Sequence, residues 1–363
     1  MQIPVSSEPF AFAVCGRLYL ARISHKSRSS RLSPSGGAAV AAWFGVSIVD
    51  PMQAVRFERY GGIDELKVVE VDRPDASPGR VVVRVLAASI NPGEASVRKG
   101  LLHERWPASF PEGEGSDFAG LVEEFGEGVT SVSVGDEVIG WSEARSSHAE
   151  YVSIPARQLV PKPAGVSWAV AGSLYVAGIT AWATIRAVEV EAGDTVVVSA
   201  AAGGVGSIVV QLARVAGATV IGIAGLSNSD WLSAHGVIPV VYGDGVAERL
   251  RAAAPDGIDA FIDCFGEGYV EIAVEIGVPV ERIDTVIDWA SAEKVGAKTA
   301  GLATIEDPAA VLAELADLVA NGEVEVPIAH TYPLTQVQDA YAELEERHTR
   351  GKIVLVPTPA VLT

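Results

Sequence analysis

Residues 195–232 constrain the fold of this chain more than any other stretch. An apolar run at 195–199 is short enough for a buried parallel strand. A turn of residues with little or no side chain follows at 200–206, and apolar residues then recur at helical spacing up to Gly217. A second apolar run occupies 218–224. This order predicts a strand, a tight turn, a helix and a second strand within about thirty residues.

The turn has the composition that a dinucleotide requires. A pyrophosphate binds unpaired backbone N–H groups at the positive end of a helix, and larger side chains would obstruct that contact. Ala200, Gly203 and Gly206 stand three apart and form the AxxGxxG variant of GxGxxG. Turns rich in alanine and glycine also arise from tight helix–strand packing alone. The strands on both sides favour the dinucleotide-binding interpretation.

The end of the second strand indicates which nicotinamide cofactor would bind. NAD sites usually place Asp or Glu there to hold the ribose 2′-hydroxyl. Here no acid precedes Asp230, and the turn offers the hydroxyl of Ser227 and the amide of Asn228 as partners for a 2′-phosphate. The missing carboxylate favours NADPH. The alternative is that Ser227 or Asn228 only caps the next helix.

Length, charge and cysteine content limit the class of protein. At 363 residues the chain exceeds one ordinary domain, and 49% apolar residues support large cores. The formal net charge of −19 argues against nucleic-acid and anionic-membrane partners, and no apolar run reaches transmembrane length. Cys15 and Cys264 provide no disulfide framework, which predicts a reducing, cytoplasmic location.

Residues 1–51 differ from the rest of the chain in composition. They hold five Lys or Arg against two Asp or Glu, whereas residues 52–363 hold 22 against 44. An Arg- and Ser-rich segment poor in acids is typical of a transit peptide. The alternative, which we favour, is an N-terminal extension that is disordered or non-native, because a clean strand pattern begins at Met52. We therefore exclude residues 1–51 from the fold prediction.

The hydropathy pattern after Met52 predicts two kinds of architecture. Up to about residue 155, short apolar or alternating runs separated by Gly and Pro predict an irregular β domain. Residues 168–188 predict one helix that leads into the second part. Strands and helices then alternate, which predicts an α/β fold with a parallel, doubly wound sheet. The predicted elements are strands at 195–199, 218–224, 240–241, 258–264 and 352–356 and helices at 229–235, 246–253 and 308–320.

Several short motifs follow one another in order within residues 52–356. They are 87–92 (AASINP), 98–100 (RKG), 115–120 (GSDFAG), 135–138 (GDEV), 149–152 (AEYV), 177–181 (AGITA), the turn at 200–206 and 351–354 (GKIV). In this order they resemble the medium-chain dehydrogenase/reductase superfamily, in its zinc-free, quinone-oxidoreductase-like (zeta-crystallin-like) branch.

The resemblance implies a two-domain architecture. A GroES-like catalytic domain would comprise residues 52–175 and 305–363. A Rossmann NADP-binding domain, residues 176–304, would be inserted in it, with the cofactor in the cleft between the two. Because relatives are commonly dimers, the resemblance also implies a homodimer.

Few of the residues that bind zinc in related enzymes are present. Catalytic zinc in the alcohol-dehydrogenase branch takes a Cys, a His from a Gly-His-Glu motif, and a further Cys or acid. This chain has Asn91 at the first position and Gly115-Ser116-Asp117 at the second. A structural zinc site needs four clustered ligands such as cysteines, and residues 52–363 contain one cysteine. The sequence therefore predicts no zinc.

The resemblance also implies roles for single residues. Asn91 would lie beside the nicotinamide, and Thr180 near its ribose or phosphate. The alternatives are a turn residue and a helix-packing residue, respectively. The other implied cofactor contacts are Gly203, Gly204, Val205 and Gly206 at the pyrophosphate, Gly225, Ser227, Asn228 and Tyr242 at the adenosine end, and Cys264 and Phe265 at the nicotinamide.

No residue is identified as the proton donor. Many relatives carry Tyr near the substrate where this chain has Ser96, and relatives often carry Tyr where it has His148. Asn91, Ser96 and His148 are the weak candidates for a catalytic role, and a partly exposed, non-catalytic histidine is the alternative for His148. Residues 276–282 and the loop at 288–301 also depart from the family pattern, so the substrate range of the family transfers poorly.

The predicted chemistry follows from the absence of zinc ligands. Alcohol oxidation would lack a Lewis acid for the alkoxide, whereas hydride addition to a conjugated acceptor needs mainly positioning. We therefore predict an NADPH-dependent, zinc-independent reductase of small-molecule quinones or α,β-unsaturated carbonyls. Within this class the alternatives are an enoyl-thioester reductase and a metal-free alcohol dehydrogenase. Outside it, the alternative is a non-catalytic NADPH-binding sensor or structural protein.

Overall fold

The computed structural model describes residues 10–14, 17–23, 46–48 and 50–357. The chain forms two units. The small unit contains three short antiparallel strands, and the main unit comprises residues 53–69 and 74–357. Most of the predicted extension, residues 1–51, lies outside the described residues, so its nature stays a prediction.

The strands alternate with helices mainly in the second half of the chain. In chain order they are Phe10–Val14 (β1), Arg17–Ile23 (β2), Val46–Ile48 (β3), Pro51–Phe57 (β4), Lys67–Asp72 (β5), Arg80–Ser89 (β6), Glu112–Gly113 (β7), Asp117–Phe125 (β8), Glu137–Trp141 (β9), Tyr151–Pro155 (β10), Leu159–Pro161 (β11), Thr195–Val198 (β12), Thr219–Ala224 (β13), Ile238–Val241 (β14), Ala260–Asp263 (β15), Ile283–Thr285 (β16), Ile328–Pro333 (β17) and Lys352–Val356 (β18).

The α-helices are short, apart from three of ten or more residues. They are Pro92–Arg98 (α1), Trp168–Ala171 (α2), Leu174–Ala187 (α3), Gly206–Val215 (α4), Ser229–Ala234 (α5), Val246–Ala253 (α6), Tyr269–Glu275 (α7), Trp289–Val295 (α8), Pro308–Ala320 (α9) and Val337–Glu345 (α10). Short 3₁₀ turns occur at Ile63–Glu65, Ala156–Gln158, Leu226–Asn228, Val280–Arg282, Leu302–Thr304 and Leu334–Gln336. None of the helices in the described part of the chain is long and apolar enough to span a bilayer.

A mixed sheet joins the two ends of the main unit. Its strands follow the order β11-β9-β8-β6-β18-β17, and β10 also pairs with β6. The closing strand β18 is antiparallel to β6 and parallel to β17. Its central residues are buried, as expected for apolar strands covered on both faces. Strands from residues 80–161 and 328–356 therefore share one sheet.

A parallel sheet occupies the middle of the chain. Its strand order is β14-β13-β12-β15-β16, so the chain moves one way from β12 to β14 and then returns to the other side of β12. All four pairs are parallel, with Val197 opposite Ile221 and Phe261. Ligands of such sheets bind at the carboxyl ends of the strands, where the strand order reverses. This arrangement confirms the predicted α/β fold with a doubly wound sheet.

The prediction of one continuous helix at 168–188 is wrong, because the structure has two helices there, α2 and α3. The break falls at Gly172, where a Cβ would lie 2.6 Å from the carbonyl oxygen of Ala87. The Gly172 carbonyl also accepts a hydrogen bond from Ser89 N–H at 2.9 Å. The close approach of β6 therefore interrupts the helix. After the break, α3 packs on α9, where Gly178 faces Leu315.

Candidate active site

A cleft of about 360 Å³ lies between the mixed sheet and the parallel sheet, at the carboxyl ends of β12 and β15. The parallel sheet and its loops contribute Ala200, Gly203, Gly204, Val205, Gly206, Cys264, Phe265 and Ile287 to its lining. The other wall comes from residues near α1 and β18, among them Ile90, Asn91, Ser96, Lys99, Leu101, Gly351 and Lys352. The cleft is thus at the position that the strand order predicts for a ligand.

The glycine-rich turn has the geometry of a phosphate cradle. Ala200 adopts a left-handed conformation (φ 45°), which costs a non-glycine residue about 1–2 kcal/mol. Its carbonyl accepts from Gly203 N–H at 2.8 Å. A Cβ at Gly206 would lie 2.2 Å from the same oxygen, so only glycine fits there. α4 begins at Gly206, so the positive end of its dipole lies at the turn. The turn therefore fits the pyrophosphate of a dinucleotide.

The start of β18 is in contact with this turn. Gly351 N–H donates to the carbonyl of Ala202 at 2.8 Å, and Gly203 and Gly351 form a parallel bridge. Gly351 has φ 74°, and a Cβ there would meet the Pro327 carbonyl at 2.0 Å. A Cβ at Gly204 would lie 3.1 Å from the Lys352 side chain. The mixed sheet is therefore joined to the phosphate turn by direct backbone contacts.

Lys352 places a buried ammonium next to Asn91. Its Nζ lies 2.5 Å from Asn91 Oδ1, 3.2 Å from the Ile90 carbonyl and 3.8 Å from Asp117 Oδ2. Burial lowers the pKa of Lys352, and the Asp117 carboxylate opposes that shift. Since all three neighbours of Nζ are hydrogen-bond acceptors, the ammonium form is the one that this geometry stabilises.

Hydrogen bonds hold both the oxygen and the nitrogen of the Asn91 side-chain amide. Oδ1 accepts from Lys352, while Nδ2 donates to Asp117 Oδ2 at 2.8 Å and to Glu94 Oε1 at 3.2 Å. Asp117 also accepts from Ser89 Oγ and from the backbone N–H of Val176, both at 2.6 Å. Asn91 therefore faces the cleft in one orientation, as a catalytic or cofactor-positioning group must.

Glu94 organises the layer behind Asn91. Its carboxylate accepts from the backbone N–H groups of Asn91 and Ser116, each at 2.8 Å, and from Tyr341 Oη at 2.9 Å. It is buried in α1, three residues after Asn91. The charge-assisted bonds to these donors hold α1, the segment before β8 and α10 together beneath the cleft.

A second buried acid, Glu114, lies near Glu94 and is paired with Arg98. The distance from Arg98 Nη1 to Glu114 Oε1 is 3.2 Å, and the Arg98 guanidinium stacks on Tyr341. Burial raises the pKa of Glu114 to about 8, and the Glu94 carboxylate adds to the rise, while Arg98 opposes it. The folded protein therefore favours the protonated form of Glu114 more than the unfolded chain does.

His148 lies beneath the cleft and does not line it. Its ring is fully buried, with Nε2 3.1 Å from the Ser89 carbonyl. Burial is the main cause that lowers the pKa of this imidazole. A Cβ at Gly115 would lie 2.2 Å from the ring, so the loop before β8 closes over it. The expectation of a partly exposed histidine is therefore wrong, because the loop before β8 covers the ring. The geometry gives His148 no access to a substrate.

Ser96 lines the cleft, but its hydroxyl is engaged within its own helix. Ser96 Oγ donates to the Pro92 carbonyl at 3.1 Å, one turn earlier in α1. Such back-bonding leaves the oxygen lone pairs toward the cleft and uses the proton elsewhere. Ser96 is thus placed near a ligand without being arranged as a proton donor.

Asp263 shapes the loop that carries Cys264 and Phe265. It accepts from Ser199 Oγ at 2.6 Å and Thr285 Oγ1 at 2.7 Å, and from the backbone N–H groups of Phe265 and Gly266. Cys264 and Phe265 line the cleft, and their contact with the nicotinamide stays a prediction. Burial raises the pKa of the Cys264 thiol well above its usual range, so it is not a thiolate nucleophile.

The residues predicted for the adenosine end lie close together outside this cleft. A Cβ at Gly225 would lie 3.4 Å from the Tyr242 ring and 4.0 Å from Ser227 Oγ, and Asn228 N–H donates to the Gly225 carbonyl. Thr180 is buried in α3 and also lies outside the lining, three residues after Ala177, which does line the cleft. Their roles as cofactor contacts stay predictions.

Four buried charged residues at the site were not predicted from the sequence as site residues. Lys352 and Asp117 were seen only as parts of family motifs, and Glu94 and Asp263 carried no signal of their own. A useful signal was available, because charged residues are rarely buried unless they are paired. Lys352 opens an apolar strand, and Asp263 ends one, so both occupy positions where a strand pattern predicts burial.

The raised pKa of Glu114 predicts a specific pH dependence of stability. The pKa of its carboxyl is 4.5 when unfolded and about 8 when folded, so the folded state holds an extra proton between these values. The unfolding free energy of the wild type, relative to Glu114→Gln, should fall as pH rises from about 4.5 to about 8, by up to about 1.4 kcal/mol per pH unit.

Chemical denaturation of both proteins across that pH range measures this difference. Glu114→Gln is matched in size and keeps the neutral form, so it removes only the titration. The prediction would be contradicted if the unfolding free energies of the two proteins changed in parallel with pH, or if the wild type became more stable relative to Glu114→Gln as pH rose. Either result would show that Arg98 keeps Glu114 ionised.

Comparison with known proteins agrees with this geometry. Residues 77–164 match the alcohol dehydrogenase GroES-like domain, and residues 232–355 match the zinc-binding dehydrogenase family. An NADPH-dependent alkenal/one oxidoreductase of Arabidopsis thaliana chloroplasts is 28% identical over 91% of this chain and 86% of its own length. Quinone oxidoreductase 1 of Escherichia coli is 27% identical over 84% of this chain and 99% of its own.

A solved structure shows the same fold. The quinone oxidoreductase of Coxiella burnetii superposes with a TM-score of 0.77 at 28% identity, covering 85% of this chain and all of that one. The predicted pairing of a GroES-like domain with a Rossmann sheet is thereby confirmed. The chain belongs to the medium-chain dehydrogenase/reductase superfamily, in its quinone-oxidoreductase-like branch, and is an oxidoreductase of that type.

Proposed function

We propose that this oxidoreductase uses NADPH, without zinc, to transfer hydride to quinones or α,β-unsaturated carbonyls. One observation carries the proposal: a single cleft joins the phosphate turn at Gly203–Gly206 to a wall where Lys352 and Asn91 lie among apolar side chains. Such a cleft can hold a dinucleotide at one side and an uncharged, conjugated acceptor at the other. The names of the alkenal/one and quinone oxidoreductase relatives support the same choice.

The residues of the chain would act by binding and orientation. The turn at Gly203–Gly206 would hold the pyrophosphate, and Asn91 and the loop at Cys264 would border the nicotinamide. When bound, the reduced nicotinamide supplies a hydride to the conjugated carbon of an acceptor. The electron pair displaced on the acceptor moves to its oxygen, and the buried Lys352 ammonium favours the negative charge that develops there.

The proton that completes the reduction would come from water. The Ser96 hydroxyl donates to the Pro92 carbonyl, and His148 is buried away from the cleft. Neither group is positioned to protonate an enolate or a hydroquinone anion. Both of these anions are protonated readily by solvent, so no dedicated acid is required.

Zinc independence is supported by Asn91, at the position of one of the family's metal ligands, and by Asp117, which follows Ser116 at the position of another. Asn91 and Asp117 hydrogen-bond each other there, and the Lys352 ammonium lies 2.5 Å from one and 3.8 Å from the other. An ammonium next to these oxygens already supplies the positive charge. A divalent cation bound to the same oxygens would be repelled by it. The donor set therefore does not fit zinc.

The preference for NADPH is supported by the end of β13. Gly225 has no side chain to repel a 2′-phosphate, and Ser227, Asn228 and the exposed Tyr242 hydroxyl are grouped around it. Gly225 has φ −68°, a conformation open to any residue, so a side chain can be added without backbone strain. This makes Gly225 the best position at which to test the cofactor.

Adding a carboxylate at that position should reverse the preference. Gly225→Asp should raise the Kd for NADPH at least tenfold, a loss of about 1.4 kcal/mol, because the new charge opposes the 2′-phosphate. NADH should bind as well as before or better. Titration of cofactor fluorescence measures both constants.

Gly225→Asn is the matched control for this change. It adds a side chain of nearly the same size and no charge, so it should keep most of the NADPH affinity. Equal losses in the Asp and Asn variants would mean that space, not charge, decides binding there, and the assignment of the 2′-phosphate site would be wrong.

The alternative functions that the sequence allows differ in the substrate that the protein would reduce. A metal-free alcohol dehydrogenase would act on saturated carbonyls, an enoyl-thioester reductase on thioesters, and an NADPH-binding sensor or structural protein on nothing. The GroES-like and Rossmann domain limits (52–175 with 305–363, and 176–304), a homodimer and a cytoplasmic location also stay part of this proposal. No feature of the residues that the structure describes favours one of the alternatives over the reductase.

Turnover tests the proposal directly. NADPH oxidation, followed by absorbance, should be rapid with ortho- or para-quinones or with trans-2-hexenal. It should be slow with hexanal, the matched acceptor without conjugation. Equal turnover of the two aldehydes would favour the alcohol dehydrogenase, and no turnover with any acceptor despite tight NADPH binding would favour the non-catalytic protein.

A further inference from the structure

Two side chains that line the cleft are large, apolar and exposed. Leu101 follows α1 and is 72% exposed, and Ile287 follows β16 and is 44% exposed. They belong to opposite walls, because α1 follows strand β6 of the mixed sheet in the chain and β16 is the edge of the parallel sheet. Exposed apolar residues are normal when they are scattered, but on both walls of one cleft they indicate a ligand surface.

A partly exposed tryptophan lies a few residues after each of these two side chains in the chain. Trp106 is 38% exposed and Trp289 is 37% exposed. The guanidinium carbon of Arg105 lies 4.6 Å from the centre of the Trp106 ring and 5.5 Å from that of Trp289. Arg105 therefore joins the two segments across the mouth of the cleft. We call Leu101, Trp106, Ile287 and Trp289 the apolar rim.

The first segment of the rim is held in place by backbone hydrogen bonds. Leu101 N–H donates to the Ser96 carbonyl at 3.0 Å, and Trp106 N–H donates to the Leu102 carbonyl at 2.8 Å. These bonds tie the segment to the end of α1. The rim on this side is thus a built feature and not a loose loop.

The second segment is fixed in the same way. Thr285 Oγ1 accepts from Asp288 N–H at 3.0 Å, and the Asp288 carboxylate caps α8 by accepting from Ser291 N–H at 3.1 Å. A Cβ at Gly266 would lie 3.3 Å from Ile287, so this segment packs on the loop that carries Phe265. Trp289 and Ile287 therefore keep their places beside the cleft.

We propose that the apolar rim is a subsite for an unbranched alkyl chain on the acceptor, so that the preferred substrates are long-chain enals or alkyl-substituted quinones. The inference rests on the proposed function for the reacting end of that substrate. The rim continues the lining of the cleft outward and offers indole and aliphatic surface. The four rim side chains are uncharged, and the guanidinium of Arg105 lies against the two indole rings. An alkyl chain matches this surface, and a polar or charged substituent does not.

The subsite predicts a dependence on chain length. Each methylene buried against the rim should increase kcat/KM about three- to fourfold. The value should rise steadily from trans-2-pentenal to trans-2-decenal and then level off where the chain leaves the rim. Trp106→Ala with Trp289→Ala should flatten this rise and leave kcat/KM for trans-2-pentenal within about twofold of the wild type, because neither residue lines the cleft itself.

Val134→Ser is the matched control, because Val134 is 65% exposed in a turn remote from the cleft lining. It should leave the slope against chain length unchanged. A slope that is flat in the wild type overturns the proposal. So does a slope that survives in the double variant, and the rim would then be a surface for another macromolecule.

A binding measurement separates this proposal from the proposed function. 2-Undecanone carries a long chain but no conjugated double bond, so it can occupy the rim without being reduced. It should change tryptophan fluorescence in the wild type and in Val134→Ser, and Leu101→Ser should weaken its binding at least about tenfold. If no enal is reduced but 2-undecanone binds in this way, the reductase fails and the subsite stands. If enals are reduced and 2-undecanone does not bind, the subsite fails alone.

Discussion

The buried contact between Lys352 and Asn91 holds the site together. Lys352 opens the last strand, and Asn91 precedes α1, 261 residues earlier in the chain. Asp117 at the start of β8 completes the cluster. A charge buried this deeply is tolerated only with its partners, and removal of one partner from such a group typically costs about 3–5 kcal/mol. The three elements must therefore fold against one another before the wall of the cleft exists.

Strand β18, which begins at Lys352, is also held against the phosphate turn at 200–206. Gly351 is bonded to Ala202 in the phosphate turn, one residue before Lys352 contacts Asn91. Asp263 fixes the opposite loop by bonds to Ser199 and Thr285. Rigid backbone on both sides of a cleft supplies orientation without conformational cost at the moment of reaction. A reductase of conjugated acceptors needs little more than this, together with a cation near the oxygen.

Local patterns in the sequence predicted much of the fold, and long-range contacts account for what they did not predict. Apolar runs gave the parallel strands, and the spacing of Ala200, Gly203 and Gly206 gave the turn, since these depend on neighbouring residues. The break at Gly172 depends on the approach of β6, and the role of Lys352 depends on Asn91. His148 shows the same limit, because only its tertiary surroundings reveal that it is buried. Relations of that kind have no signature in one sequence.

The position to which hydride is delivered tests the central claim most directly. The protein would be incubated with trans-2-hexenal and NADPH deuterated at C4 of the nicotinamide, on each face in turn, and the product analysed by mass spectrometry and NMR. When the deuterium is on the face of the nicotinamide from which hydride is transferred, we expect hexanal with deuterium on the carbon β to the carbonyl. Deuterium on the carbonyl carbon of an alcohol, or no transfer from either face, would contradict it.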